Sequence, residues 1–98
     1  MIQTIIAKSK TPPIIIIQAD HGWGWGEGRV RILNAYYLPD GGNEKVYSEI
    51  TPVNTFRIVL NEYFNGNYDI LPDISYNATF NNDRMENLEV VPRSCVTP

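Results

Sequence analysis

Four consecutive isoleucines, Ile14 to Ile17, break an otherwise mixed pattern of apolar and polar positions. Such a β-branched run is apolar on both faces and predicts a strand covered on both sides, as in a parallel α/β sheet. Before it, Ile2, Ile5 and Ile6 follow helical spacing, Lys8 and Lys10 suit a helix C-terminus, and Pro12-Pro13 ends the helix. These turns read as the end of a crossover helix whose preceding strand is missing. Val30 to Leu38 is rich in branched and aromatic residues and predicts a second strand, closed by the turn residues Pro39-Asp40-Gly41-Gly42.

Thr51 suits a helix N-cap, and Pro52 suits the first helical position. Val53, Phe56, Val59, Leu60, Tyr63 and Phe64 then recur on one helical face, predicting a helix over 52–64 that stops near Gly66. This face is expected to cover one side of the sheet. Beyond Leu71-Pro72-Asp73 the pattern thins into an Asn-rich loop, with one short edge strand at Leu88 to Val91. Exposed strand edges promote association, so self-association is expected of the isolated chain.

With 98 residues there is room for one small domain or a piece of a larger one. The net charge of −3 and the scattered lysines and arginines argue against a nucleic-acid partner. Cys95 is the single cysteine, which rules out an intrachain disulfide and any CxxC zinc site. No apolar run approaches the ~20 residues of a membrane-spanning helix. Met1 opens directly onto an amphipathic segment, a pattern that predicts no signal peptide.

The chemistry concentrates just after the isoleucine strand, at Asp20-His21-Gly22. Open α/β sheets build their sites beyond the carboxyl ends of strands. A carboxylate oxygen and an imidazole nitrogen are both ligands for Zn²⁺ or Mn²⁺. On residue types alone the pair also fits a turn with a surface histidine; the strand before it and the glycine after it bring the metal reading level. Gly22, Gly24, Gly26 and Gly28 alternate with Trp23, Trp25 and Glu27, predicting a mobile loop that is neither a dinucleotide fingerprint nor a P-loop. Trp23 and Trp25 could form a lip over a substrate, but packing over the sheet end is the favoured reading. Glu27 could be a further ligand or a solvated charge. Arg57 could hold an anion or form a structural salt bridge.

Four blocks occur in order: PPIIIIQADHG at 12–22, RILNAYYLP at 31–39, ITPVNTFRIVLNEYF at 50–64 and ILPDISY at 70–76. Together they resemble the C-terminal part of the sulfatase-like hydrolase/transferase family of the alkaline phosphatase superfamily. Lipoteichoic acid synthases and phosphoglycerol transferases are neighbouring branches. The resemblance implies an α/β fold, the C-terminal fragment of an alkaline-phosphatase-like three-layer sheet with flanking helices. It covers residues 1–76, and 77–98 reads as an irregular C-terminal tail. Asp20 and His21 are implied as ligands of a divalent metal, Mn or Zn, with Gly22 letting the backbone turn close to them. The implied substrate is a phosphate or sulfate ester. Parent enzymes often combine a membrane anchor with an extracytoplasmic catalytic domain.

Family nucleophiles (Ser, Thr or formylglycine) and an early acidic ligand lie upstream of these blocks and are absent from this chain. The remainder of the parent catalytic domain is thus an implied partner, and the chain alone is expected to be inactive. A second reading, from another class, is a non-catalytic α/β remnant or interaction domain with no metal site.

Overall fold

The computed structural model describes residues 1–91, so Cys95 lies outside the described residues. Among them the chain forms a small mixed α/β domain with two α-helices and two separate antiparallel two-stranded sheets. Helix α1 (Ile2–Lys8) buries none of its residues. The Ser9 hydroxyl closes it by donating to the Ile5 carbonyl at 2.6 Å. Strand β1 (Ile15–Gln18) follows the double proline, as the β-branched run requires.

Its pairing corrects the parallel-sheet expectation. Strand β2 (Asn34–Tyr37) runs antiparallel to β1, with Ile15 opposite Tyr37 and Gln18 opposite Asn34. Ile17 and Gln18 at the end of β1 are exposed, so this sheet is not covered on both faces within the described residues. A β-branched run suits either orientation, because it reports side-chain shape and not the direction of the neighbouring strand. The predicted second strand is also shorter than 30–38: residues 26–30 form a 3₁₀ turn, Gly26–Val30, in place of a purely irregular loop.

Helix α2 (Pro52–Tyr63) lies where Thr51-Pro52 and the apolar spacing put it. The Thr51 side chain makes no capping bond to the helix; its hydroxyl donates to Asp73 Oδ1 at 2.7 Å. Asn65, at φ 55°, supplies the left-handed turn after the helix, a conformation asparagine tolerates better than most residues. Gly66 fits beside it because a side chain there would press on the Leu60 carbonyl, which accepts the Gly66 N–H at 2.9 Å.

The rotation of α2 differs from the apolar-face expectation. Asn54, Thr55, Ile58 and Val59 are its buried residues, whereas Val53, Phe56, Leu60 and Phe64 are exposed. Polar side chains can face inward here because each is matched. The Asn54 amide nitrogen donates to the Leu71 carbonyl (2.8 Å) and to Asp73 Oδ1 (2.9 Å), and its oxygen accepts the Leu71 N–H (2.9 Å). The Thr55 hydroxyl meets the Tyr36 hydroxyl at 2.8 Å and Gln18 Nε2 at 3.3 Å, tying α2 to the β1–β2 sheet. A buried polar group with its partners in place costs little; without them it costs a great deal. Leu38, Ile50, Ile58, Val59 and Val91 complete the core.

Residues 77–91, read as irregular but for a short edge strand at Leu88 to Val91, carry most of a second hairpin. Strands β3 (Tyr76–Asn81) and β4 (Arg84–Val90) pair antiparallel through Asn82-Asp83, both left-handed at φ 47° and 63°. Two positive-φ central residues make the tight turn that matches strand twist. Every residue of β4 is exposed, so the hairpin stands mostly in water.

Candidate functional site

Asp20 and His21 occupy the connection between β1 and β2, immediately past the end of β1. Two backbone bonds pinch this connection: Ala19 N–H to the Leu33 carbonyl (2.9 Å) and Gly22 N–H to the Arg29 carbonyl (2.7 Å). Gly22 permits the second closure. A Cβ at position 22 would overlap the Gly28 and Arg31 carbonyl oxygens, so any larger residue forces the loop apart.

The two side chains are accessible, with 88% of the Asp20 and 47% of the His21 side-chain surface exposed. Their arrangement leaves one donor atom on each. Asp20 Oδ1 accepts the His21 backbone N–H at 2.9 Å, which leaves Oδ2 facing out. His21 Nδ1 lies 2.8 Å from the Gly22 carbonyl oxygen. A carbonyl only accepts, so Nδ1 carries the proton and the neutral ring keeps its lone pair on Nε2. Oδ2 and Nε2 are 3.8 Å apart. That is shorter than two ligand bonds of ~2.0–2.1 Å end to end, so one cation fits between them. A histidine whose second nitrogen donates to a backbone carbonyl is the usual state of a metal-bound imidazole. Among the described residues no group of three or more His, Cys, Asp and Glu gathers, so Asp20 and His21 stand as a pair.

The tryptophans depart from the packing expectation. Trp23 is 97% exposed and Trp25 88% exposed. Neither is drawn onto the sheet end, because Gly24 and Gly26 both take positive φ and turn the backbone away between the tryptophans and after them. The Arg29 guanidinium sits over the Trp25 ring, 5.1 Å from its centroid, a cation–π contact within the pinched loop. Sequence reasoning passed over Arg29; an arginine four residues after a tryptophan, across a glycine-rich turn, was the available signal. Glu27 belongs to the 3₁₀ turn. Arg57 points elsewhere, donating to the Asp69 carbonyl at 3.2 Å.

Away from the loop, Asp73 is the acceptor at the centre of a polar cluster. Desolvation by burial pushes its pKa up, but hydrogen bonds from the Tyr47 hydroxyl, the Thr51 hydroxyl and N–H, and Asn54 together outweigh it and hold the carboxyl below its ordinary value. This cluster clamps α2 to the segment after it and is structural in character.

No helix among the described residues is long and apolar enough to cross a membrane. Comparison with protein-family models, with curated proteins and with solved structures finds no match to this chain.

Proposed function

We propose that the chain is the C-terminal part of a sulfatase-like hydrolase/transferase, and that Asp20 and His21 are two ligands of its divalent metal. The proposed setting is an alkaline-phosphatase-like three-layer fold, of which the β1–β2 pair and α2 would be one part. The carrying observation is the complementary state of the two side chains. Asp20 presents a free carboxylate oxygen, and His21 is held by the Gly22 carbonyl in the tautomer that presents Nε2. A divalent metal bound there would supply Lewis-acid polarisation of a phosphate or sulfate ester oxygen. Asp20 contributes charge, and His21 contributes a neutral, pre-oriented nitrogen. Gly22 keeps both close to the pinched loop. Further ligands and the nucleophile would come from the remainder of the catalytic domain.

Calorimetric titration of the intact chain with Mn²⁺ and Zn²⁺ tests this. Two ligands give weak binding, on the order of 0.1–1 mM, equivalent to about 4–5.5 kcal/mol. That binding disappears in His21→Ala and in Asp20→Asn. Binding that is unchanged in both variants, or undetectable at several times that concentration, overturns the assignment. The second reading, an interaction domain without a metal site, draws on the exposed Phe56, Phe64, Phe80 and Val90 and predicts the second of those results.

A further inference from the structure

The β3–β4 hairpin sorts its side chains by face. Residues opposite one another in an antiparallel pair project to the same side, and the register pairs Tyr76 with Val90, Ala78 with Leu88 and Phe80 with Met85. These six make one apolar face. The charges are kept off it: Glu89 lies opposite Asn77 and Arg84 opposite Asn81, both on the other side. Glu86, at the irregularity in β4, accepts a bond from the Asn81 amide at 2.9 Å. Phe80 is 67% exposed and Val90 63%, with Tyr76, Met85 and Leu88 exposed beside them. Tyr76 also lines a depression with Val53, Leu71 and Ile74, all exposed, which carries the apolar surface on to the start of α2. A two-stranded hairpin in water is marginal until its apolar face is covered.

We propose that this face packs against the same face of a second copy of the chain, sheet on sheet, in a two-fold contact. Size is the first argument. The exposed side chains of the hairpin face, with Val53, Leu71 and Ile74, present on the order of 700 Å² per copy, close to the roughly 800 Å² that each partner brings to a standard interface. Charge is the second. A two-fold contact sets a surface against itself, so any charge on it would meet its like; an apolar face avoids that. Shape is the third. With the two-fold axis parallel to the strands, β3 of one copy lies over β4 of the other, and each residue meets the equivalent of its own register partner. Small Ala78 then faces Leu88, Tyr76 faces Val90, and Phe80 faces the Met85 thioether, a favourable sulfur–aromatic contact. A lipid surface fits less well. The hairpin carries Asp83, Glu86 and Glu89 against Arg84 alone, whereas interfacial binding draws on lysine and arginine. The contact gives a partner to Phe80 and Val90 and depends on neither reading of Asp20 and His21.

Analytical ultracentrifugation of the intact chain in EDTA tests this. A monomer–dimer equilibrium is expected with a Kd on the order of 10 µM, read over about 1–300 µM chain. Phe80→Glu and Leu88→Lys each weaken it by about tenfold or more, with unchanged far-ultraviolet circular dichroism. Thr79→Lys on the opposite face and Phe56→Glu on α2 leave it within about twofold. In a Cys95→Ser background, chains carrying Ala78→Cys and Leu88→Cys link to each other on mild oxidation in preference to themselves. A chain that stays monomeric throughout overturns the proposal, as does a dimer indifferent to both hairpin-face variants, or growth beyond a dimer. Preferred linking of Ala78→Cys to itself overturns the pairing of β3 over β4. Co-sedimentation of monomeric chain with vesicles of phosphatidylcholine and phosphatidylglycerol also overturns it, in favour of a lipid surface. His21→Ala dimerises as wild type does, so metal binding and dimerisation stand or fall separately.

Discussion

Helix α2 and the loop from Asp20 to Leu33 solve opposite problems with the same kind of bond. In α2 the hydrogen bonds are inside: Asn54 is fully buried and its amide is matched on both the nitrogen and the oxygen. In the loop they are two backbone closures, and the side chains they carry face water. The helix end is over-determined and the loop end is minimally held. The buried polar clamp and the exposed polar and aromatic side chains therefore lie in different parts of the molecule, and in proteins generally ligand-binding segments are commonly drawn from the less stable end.

The contrast can be broken most severely at the helix. Asn54→Ala leaves the Leu71 N–H and carbonyl without their partner and takes one donor from Asp73. Each orphaned part-buried group costs up to about 1–3 kcal/mol, so a loss of about 2 kcal/mol or more is expected in urea unfolding. That is a large share of a small domain's total. Little change in the midpoint would show that α2 is not held by this clamp.

Gly22→Ala comes next. Its Cβ would run into the Gly28 and Arg31 carbonyls, and overpacking of this kind costs about 1–3 kcal/mol. The expected signature is local. The Trp25–Arg29 contact is lost, seen as altered tryptophan emission, and the metal binding proposed for Asp20 and His21 weakens. A variant with native emission and native metal binding would mean that the loop closure does not organise the pair.

Acid should act on the helix end before the loop. The Asp73 carboxyl is held below its ordinary value, so its contribution to stability is present above the unfolded pKa of ~4. It is lost as pH falls through the lower, folded value. Stability in wild type should drop over that acid window, and Asp73→Asn should flatten this part of the profile while lowering stability at neutral pH. A wild-type and variant pair with parallel profiles below pH ~4 would remove Asp73 from the account.

The smallest effect belongs to Asp20 and His21. Asp20 and His21 are exposed and touch only the loop, so His21→Ala should shift unfolding by no more than about 0.5 kcal/mol. A larger loss would place His21 among the structural residues of the domain.

Helix α2 was legible because Thr51-Pro52 and a long apolar period act within the segment itself. Its rotation was not legible. Amphipathic spacing marked Val53, Phe56, Leu60 and Phe64 as the inner face, and only the distant Leu71 and Asp73 make it favourable for Asn54 to turn inward. Likewise the β-branched run announced β1 but not the antiparallel direction of its neighbour. Of the β3–β4 hairpin only a short edge strand at Leu88 to Val91 was read; Tyr76, Ala78 and Phe80 alternate with Asn77, Thr79 and Asn81, but the density of asparagines masked that strand, and Asn82-Asp83 marked the turn. Asp20 and His21 were placed at the end of β1 from the strand before them, and they are there. The exposure of Trp23 and Trp25 could not be read, since residue type alone favours burial.

The double closure of the loop also has an evolutionary side. Because Ala19 is tied to Leu33 and Gly22 to Arg29, the stretch from Trp23 to Gly28 is separated from β1 and β2 by two closures, with Asp20 and His21 lying between them. The exposed Trp23 and Trp25 in that stretch can be exchanged without altering the register of β1 against β2, whereas Gly28 cannot, because a Cβ there would press on the Trp23 carbonyl oxygen. Descendants of this chain can thus vary the two indoles while the carboxylate and the imidazole stay where they are. A lineage built on such a loop diversifies at its tip and stays conservative at its base.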